Sequence, residues 1–548
     1  MSNKITINFE DSRKIDVEYK TKVSDVINMI ESDTSDILAV IVNNELRRFD
    51  YELVKDSYIK YVKYDSSDGY RVYSGTLKMV LYMALTSLFS NADVEFIATI
   101  KRDQYFLINN IKITDEKVKK IKEKMEEIIK KDFPITKKVV PVEEATVLYT
   151  AANDSNKLKN IDNKLKSYVN IYFCDGMYNN FNTALAPSTG YVKKFDLRRY
   201  KDGLVLMFPD KKGKLKDEIK YVSLYDAYIE FNKYNKLFGI TTIGDLNKMI
   251  LKGKSNDVIQ VSEAIHDRKL VELVQDVEKR KNVKMILIAG PSSSGKTTFA
   301  QKLGVQLKLT GYNPITISMD NYFKERKDTP LGEDGKYNFE TVDALDINLF
   351  NTQMKELIDG KTVELPEFDF LVGEKKYKGN YLKLEKNDVL IIEGIHALNP
   401  ILTEFTPDEN KYKVYIAPIT TLDIDGYTKM SSSDSRFLRR MVRDYSTRGH
   451  SVERTFELWN NVKKGEEEYI FPFVDTVDFI YNSSLNYEPS VMKIFAQPLL
   501  LQVDNSSEYY SEARRLYAHL NNFIPLETSD IPIDSIVREF IGSGCFNR

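Results

Sequence analysis

The stretch MILIAGPSSSGKTTFA, residues 285–300, decides the fold of this chain. Its first five residues form an apolar run typical of a buried strand, and a helical pattern follows Gly295. Between the two, residues 290–297 match the pattern GxxxxGK[ST]. A strand, a glycine-rich loop and a helix in this order are the context that a phosphate-binding P-loop requires. The stretch therefore predicts an α/β domain with a phosphate site at the start of a helix.

Each residue type in this loop has a physical task. Glycines let successive backbone N–H groups turn inward around phosphate oxygens, a lysine reaches the terminal phosphates, and a hydroxyl ligates Mg²⁺. The residues predicted to bind nucleotide are Gly290, Ser292, Ser293, Ser294, Gly295, Lys296, Thr297 and Thr298, and Thr297 is the predicted metal ligand. ATP and Mg²⁺ are therefore the predicted cofactors, with a chance Gly-Ser turn as the alternative.

Further apolar strands follow the loop at PITISM (314–319), DVLIIEG (388–394) and KVYIAP (413–418). Strands that alternate with helices predict a parallel sheet with helices on both faces, and such sheets bind ligands beyond the carboxyl ends of their strands. Asp320 and Glu393 stand at strand ends, so both are expected there. Asp320 is the predicted base for an acceptor hydroxyl, with a capping role as the alternative. Glu393 is predicted to assist Mg²⁺, or else to be satisfied by neighbouring backbone.

A cluster of arginines follows in DSRFLRRMVRDYSTRG, residues 434–449. Planar guanidinium groups suit contact with phosphates and with the charge that spreads over a transferring phosphoryl group. The spacing i, i+3, i+4 and i+7 predicts one helix face, and a merely solvated cationic face is the alternative. The arginines concerned are Arg436, Arg439, Arg440 and Arg443, with Arg448 just beyond.

The 548 residues of the chain exceed what one hydrophobic core usually supports, so several domains are expected. Residues 1–63 show strands, a helix and further strands, which favours a small β-grasp unit. Residues 64–240 mix short strands with helices and loops, which indicates an α+β domain. A helical connector is predicted at 241–283, before the P-loop domain at 284–548.

Composition narrows the cellular setting and the partners. The formal net charge of −2 gives no long-range attraction to nucleic acid or to anionic lipid. Two cysteines, Cys174 and Cys545, cannot form a disulfide framework, which suits a reducing compartment. The N-terminus lacks the apolar core of a signal peptide, and no apolar run has membrane-spanning length. We expect a cytoplasmic protein that does not contact membranes and that forms a homo-oligomer.

Residues 284–490 resemble the uridine kinase and phosphoribulokinase-like family, because they carry its motifs in order: GPSSSGKTT, SMDNYF, YNFETVDALD, EGIHALNP and DSRFLRRMVRD. The resemblance implies an ATP-dependent kinase that transfers the γ-phosphate to the 5′-hydroxyl of a nucleoside of the uridine or cytidine type. It implies catalytic roles for Asp320, Lys296, Arg436 and Arg440, and nucleotide contacts for Arg439 and Arg443. It implies substrate contacts for Tyr322, Phe339, Glu340, Phe368, Arg436 and Arg448.

Three positions depart from the family pattern. Glu340 stands where uridine kinases commonly carry Asp, and Phe368 and Gly373 stand where they place a Tyr and a base-reading His. Because a site without the matching polar group loses much of its discrimination, the preferred base stays open. A kinase of another small hydroxyl substrate, such as a sugar phosphate or pantothenate, is the alternative enzyme. A nucleotide- or tRNA-binding regulatory protein without turnover is the alternative from another class.

The front half also resembles known domains. Residues 1–63 resemble a TGS-like β-grasp domain, and PSTGYVKKFDLRRYKDGLVLMFPD (187–210) resembles the second domain of threonyl and alanyl tRNA synthetases. Editing in that family uses His pairs and a Cys/His pair, whereas residues 64–240 contain no His and only Cys174. The resemblance therefore implies a binding or scaffolding role, with retained tRNA affinity as a less favoured alternative.

Overall fold

The computed structural model describes residues 4–89, 92–161, 165, 167–332, 335, 337–369 and 372–546. Its first unit is a mixed five-stranded sheet, ordered β2-β1-β5-β3-β4, in which only β1 and β5 are parallel. Alternate residues of the first strand are buried, as expected for a sheet with one covered face. The elements are β1 (Lys4–Phe9), β2 (Lys14–Glu18), α1 (Val23–Ile30), β3 (Ala39–Val42), β4 (Glu45–Arg47) and β5 (Ser57–Val62). The assignment of this unit to the TGS-like class stays a prediction.

The second unit combines two antiparallel sheets, ordered β10-β9-β8 and β11-β12-β7-β6, with five helices. Its helices and strands are α2 (Ser67–Leu88), β6 (Val94–Ile100), β7 (Asp103–Ile108), α3 (Asp115–Lys131), β8 (Thr136–Pro141), α4 (Val142–Ala151), α5 (Ser155–Ile161), β9 (Tyr168–Cys174), β10 (Met177–Asn179), β11 (Asp196–Tyr200), β12 (Gly203–Met207) and α6 (Val222–Phe238). Its likeness to a synthetase domain also stays a prediction.

The third part begins with two helices and continues into a five-stranded sheet ordered β14-β19-β13-β20-β21, in which every pair is parallel. Two short antiparallel pairs, β15–β18 and β16–β17, lie outside this sheet. The elements are α7 (Ile243–Leu251), α8 (Ser255–Arg280), β13 (Met285–Ala289), α9 (Lys296–Lys308), β14 (Asn313–Ser318), α10 (Ile347–Ile358), β15 (Val363–Glu364), β16 (Glu367–Asp369), β17 (Glu374–Lys376), β18 (Tyr381–Leu382), β19 (Asp388–Glu393), β20 (Lys411–Ala417), α11 (Ser432–Arg448), α12 (Val452–Tyr469), β21 (Phe479–Asn482), α13 (Glu488–Leu500), α14 (Tyr510–Leu520) and α15 (Arg538–Ile541).

Both faces of the parallel sheet are covered. Ile286 and Ile288 of β13 share a buried cluster with α8 and α9, whereas Met285 and Leu287 share another with α6 and α10. Successive strand residues point to opposite faces, so this alternation requires helices on each side. The predicted parallel sheet with helices on both faces is confirmed for this region. The sequence did not indicate that α6, from the second unit, would cover part of one face.

A second contact joins the front half to the parallel-sheet region. The loop between β20 and α11 inserts Tyr427 into the core of the second unit, where its ring lies 5.4 Å from that of Phe96 and 5.7 Å from that of Phe181. The buried Lys78 donates to the Tyr427 carbonyl at 2.6 Å. The segment that leads into α11 is therefore held by the front half. None of the helices in the described ranges has the length and apolar character needed to cross a bilayer.

Candidate active site

The P-loop curls around the amino end of α9. Gly295 has φ +90° and Ser293 has φ +59°, so the backbone turns through the left-handed region twice before the helix begins. At Gly290 an added Cβ would lie 2.2 Å from the Ile416 carbonyl oxygen, a separation that no side chain tolerates. Gly290 is therefore required by the close approach of β20, and Gly295 is favoured by its conformation.

Polar groups of the loop face a shared space at the sheet edge. The Lys296 amino group donates to the Gly290 carbonyl at 3.0 Å, so it lies over its own loop. The Thr297 side chain is exposed, whereas the side chains of Ser293 and Ser294 are buried. Among the described residues, neither buried hydroxyl has a hydrogen-bond partner. An amino group, an exposed hydroxyl and inward backbone together suit a bound polyphosphate.

Three carboxyl groups surround this loop. Burial raises the pKa of Glu393, the last residue of β19, and the neighbouring Asp320 carboxylate raises it further. The Asp320 residue is exposed, yet loss of solvent around its carboxyl group raises the pKa, which the positive charge of Lys296 opposes. Glu340 also has a raised pKa, because burial outweighs the attraction of Arg440 and Lys296. Carboxyls that are partly desolvated beside cations are typical of sites that bind a metal or move a proton.

Three arginines of α11 gather around one buried carboxylate. Arg440 donates to the Ser292 hydroxyl at 3.0 Å, and its Nε lies 3.2 Å from Asp444. Arg443 contacts Asp444 at 3.0 Å and Arg448 contacts it at 3.4 Å. Asp444 is fully buried, so its single carboxylate pairs with three arginine side chains beside the P-loop. Arg443 and Arg448 both favour the ionised form of Asp320.

Arg436 and Arg439 have a different environment, because both side chains are buried. Arg436 pairs with Glu466 at 2.5 Å, and its other nitrogen lies 3.5 Å from the Ser292 carbonyl. Arg439 is fully buried and makes a two-pronged contact with Glu488 at 2.5 and 2.6 Å. The same guanidinium lies 3.4 Å from the carbonyls of Ser293 and Ser294. The structure thus places Arg439 behind the P-loop, where it contacts the loop backbone from within the protein core.

Three of the residues predicted to contact a nucleoside lie in one aromatic cluster around Phe323, namely Tyr322, Phe339 and Phe368. Phe368 is buried, and its ring centre lies 5.9 Å from that of Phe323. Phe339 is 37% exposed and lies 5.8 Å from Phe323 on another side. The Tyr322 hydroxyl is directed inward and donates to Gln353 at 2.8 Å. Of these three rings, that of Phe339 is the exposed one, whereas that of Tyr322 packs inside the protein.

The backbone at Gly373 leaves little room for a side chain. It has φ +83°, and an added Cβ would lie 2.8 Å from Nε of Arg326. The backbone N–H of Arg326 also donates to the Gly373 carbonyl at 2.8 Å. A side chain at 373 is disfavoured by both conformation and space, because the Arg326 side chain occupies the adjacent position.

Several residues of the site escaped the sequence analysis. Asp444, Glu466 and Glu488 hold the arginines, and only Asp444 had a local signal, since it lies four residues from both Arg440 and Arg448. Gly465 of α12 was also missed, although an added Cβ there would lie 2.6 Å from Cβ of Glu340. Glu466 and Glu488 belong to other helices, so their contacts depend on tertiary packing.

The raised pKa of Glu393 leads to a stability prediction. With a raised pKa the folded protein binds more protons than the unfolded chain above about pH 4, so the contribution of this group to stability is lost as pH rises. We expect Glu393→Gln to increase the free energy of unfolding at pH 8 by about 1–3 kcal/mol, with a smaller gain at pH 5. Thermal denaturation without metal at both pH values measures this. A variant that melts below the parent protein at pH 8 would show that the carboxylate is stabilising.

Comparison with known proteins matches the region that contains this site. Residues 285–486 match the profile of the Phosphoribulokinase / Uridine kinase family. A uridine kinase of Lactobacillus johnsonii is 32% identical over 197 residues, which cover 36% of this chain and 84% of that protein. A uridine kinase of Ligilactobacillus salivarius is 30% identical, with 37% of this chain and 86% of that protein covered. One of Borrelia duttonii is 28% identical over 229 residues, covering 42% of this chain and 100% of that protein.

Proposed function

Because this chain belongs to the phosphoribulokinase/uridine kinase family and is a phosphotransferase, we propose that it is an ATP-dependent nucleoside kinase. The acceptor is the 5′-hydroxyl of a nucleoside, with uridine and cytidine as the expected substrates. The proposal rests on one observation. Four polar side chains lie together at the carboxyl edge of one parallel sheet, namely those of Lys296, Asp320, Glu393 and Arg440. That edge is where such folds bind their ligands.

Asp320 is the proposed base. The residue is exposed, and the raised pKa of its carboxyl group makes it a better proton acceptor than an ordinary aspartate. Lys296, Arg448 and Arg443 oppose this rise, because their positive charges favour the ionised form that a base requires. In phosphoryl transfer the protein mainly positions the reactants and neutralises charge, so one base and several cations are sufficient machinery.

The residues of the loop fit a magnesium nucleotide. Within the described ranges, no group of three or more His, Cys, Asp or Glu side chains is arranged to hold a metal alone. Mg²⁺ in kinases is usually held by one or two protein ligands together with substrate phosphates, which Thr297 and Glu393 can supply. When bound, Mg²⁺-ATP supplies the phosphoryl group and neutralises its charge. Lys296 and Arg440 hold the phosphates, and Arg436 and Arg439 keep the loop in shape behind them.

The acceptor pocket is proposed beside Phe339 and Glu340. The exposed ring of Phe339 offers a stacking surface for a base, and Glu340 offers oxygens for ribose hydroxyls. Gly465 leaves the room in which Glu340 sits, so the longer side chain is accommodated by the facing helix. Phe368 and Gly373 carry no hydrogen-bonding side chain, so the choice between uridine and cytidine is decided by the substrate panel.

A substrate panel tests the proposed function. Release of ADP by the purified protein is measured with Mg²⁺-ATP and uridine, cytidine, the purine nucleosides, pantothenate or a sugar phosphate. We expect turnover with at least one nucleoside and background rates with pantothenate and sugar phosphates. Turnover with pantothenate or a sugar phosphate alone would replace the nucleoside assignment. Binding of ATP without any acceptor turnover would favour a regulatory protein.

A further inference from the structure

A carboxylate from the end of the chain lies on the amino end of the P-loop helix. Oε2 of Glu539, in α15, accepts a hydrogen bond from the Thr298 backbone N–H at 3.2 Å and another from the Thr298 hydroxyl at 2.8 Å. Thr298 is buried and Glu539 is half-buried. An anion from this chain therefore occupies donors at the position where a P-loop offers its N–H groups to phosphate.

The backbone that carries Glu539 is fixed. We call residues 531–541 the C-terminal segment; Ser535, Ile536, Val537 and Phe540 within it are buried. Ile536 packs on the P-loop, since a Cβ added at Gly295 would lie 2.6 Å from its Cγ2. The segment is thus part of the core, and only a rotation of the Glu539 side chain is needed to free the Thr298 donors.

The segment is also tied to the arginine behind the loop. The Phe540 ring lies 4.8 Å from the guanidinium carbon of Arg439, which contacts the P-loop carbonyls. Arg538 donates to the carbonyls of Thr528 and Ile531 at 2.7 and 2.8 Å, which closes the turn before α15. The backbone on both sides of Glu539 is therefore fixed by contacts with the P-loop, with Arg439 and with the turn before α15.

Two anions compete for the same donors. A phosphate that enters the loop brings negative charge beside the Glu539 carboxylate, and like charges at such distances repel. A phosphate oxygen can accept the same two hydrogen bonds from Thr298, so the carboxylate has to turn away when a phosphate takes these donors.

We propose that Glu539 is an internal competitor for nucleotide phosphate, which holds the Thr298 donors in the free protein and leaves them when a nucleotide binds. The inference rests on the proposed function, because it assumes a nucleotide in the P-loop. In this role Glu539 lowers the affinity of the P-loop for nucleotide. The C-terminal segment thus directly influences nucleotide binding.

Calorimetric titration of Glu539→Gln with ATP and with pyrophosphate tests the proposal. Gln keeps an oxygen that accepts from Thr298 but carries no charge, so the helix end stays satisfied. We expect both ligands to bind about 10-fold more tightly than to the parent protein, as for the loss of one charged hydrogen-bond competitor. The measurement is made at 0.15 M salt, where distant charges are screened.

The matched control is Asp534→Asn in the same segment, whose carboxylate lies 3.3 Å from Lys302 instead of the P-loop. Its affinity for both ligands should equal that of the parent protein. A second variant, Glu539→Asp, shortens the side chain by one methylene while keeping the charge, and should strengthen binding less than Gln does.

These outcomes distinguish the competitor role of Glu539 from the proposed kinase function. Unchanged or weaker binding by Glu539→Gln overturns the competitor role, and so does tighter binding of ATP with unchanged binding of pyrophosphate. If ATP binds to the parent and to the variant with equal affinity, the proposed function survives and only this inference fails. If neither protein binds ATP, the proposed function itself fails.

Discussion

Asp320→Asn should lower kcat for nucleoside phosphorylation by about 10³-fold, within the range that general bases contribute. The amide keeps the size of the side chain but cannot accept the hydroxyl proton. Its effect on ATP affinity should be neutral or favourable, because a carboxylate beside the phosphates is removed. Steady-state kinetics and ATP titration on the same preparation separate the two effects.

The control for this variant is Asp359→Asn, an equal change of charge at an exposed position after α10. It should leave kcat unchanged. The raised pKa of Asp320 implies that Asn does not lower the melting temperature, so lost activity cannot be attributed to unfolding. An Asp320→Asn enzyme that retains a tenth or more of the parent kcat would remove Asp320 from the role of base.

Tyr427→Ala should destabilise the protein by about 3–5 kcal/mol, the usual range for removing a buried aromatic ring. The ring is 6% exposed and packs against the front half, with the Lys157 amino group 5.0 Å from its centre. Its loss leaves a cavity in the core of the second unit and unpacks the segment that leads into α11. Chemical denaturation measures the change, and kcat measured below the transition reports on the arginines of α11.

Two further variants serve as controls for Tyr427→Ala. Tyr427→Phe keeps the ring and should be close to the parent protein. Tyr445→Ala removes an equal side chain from α11 itself, where the ring is 45% exposed, and should change stability by no more than about 0.5 kcal/mol. If Tyr427→Ala and Tyr445→Ala have the same small effect, the front half does not anchor this loop.

The sequence predicted the parallel sheet and the P-loop because their signals are local. Five apolar residues, a glycine-rich turn and a helix are adjacent in the chain at 285–300, so no knowledge of packing is needed. Asp320 and Glu393 were located for the same reason, since strand ends in a parallel sheet share one edge.

The individual contacts of the α11 arginines could not be predicted from the sequence. Helical spacing places them together, but it does not distinguish Arg440, which reaches Ser292, from Arg439, which pairs with Glu488 behind the loop. The difference depends on α13, which begins forty residues after the end of α11. Its position beside Arg439 is determined by tertiary packing. Glu539 is the extreme case, since its contact with Thr298 spans 241 positions.

The most direct test is transfer of label from [γ-³²P]ATP to uridine, cytidine and their 5′-deoxy analogues, with the products separated and counted. The proposed kinase labels a nucleoside as its 5′-monophosphate and gives no labelled product with the analogue that lacks the 5′-hydroxyl. Label in the 5′-deoxy analogue would place the phosphate on another hydroxyl. Release of labelled phosphate with neither uridine nor cytidine labelled would contradict a nucleoside kinase of the uridine or cytidine type.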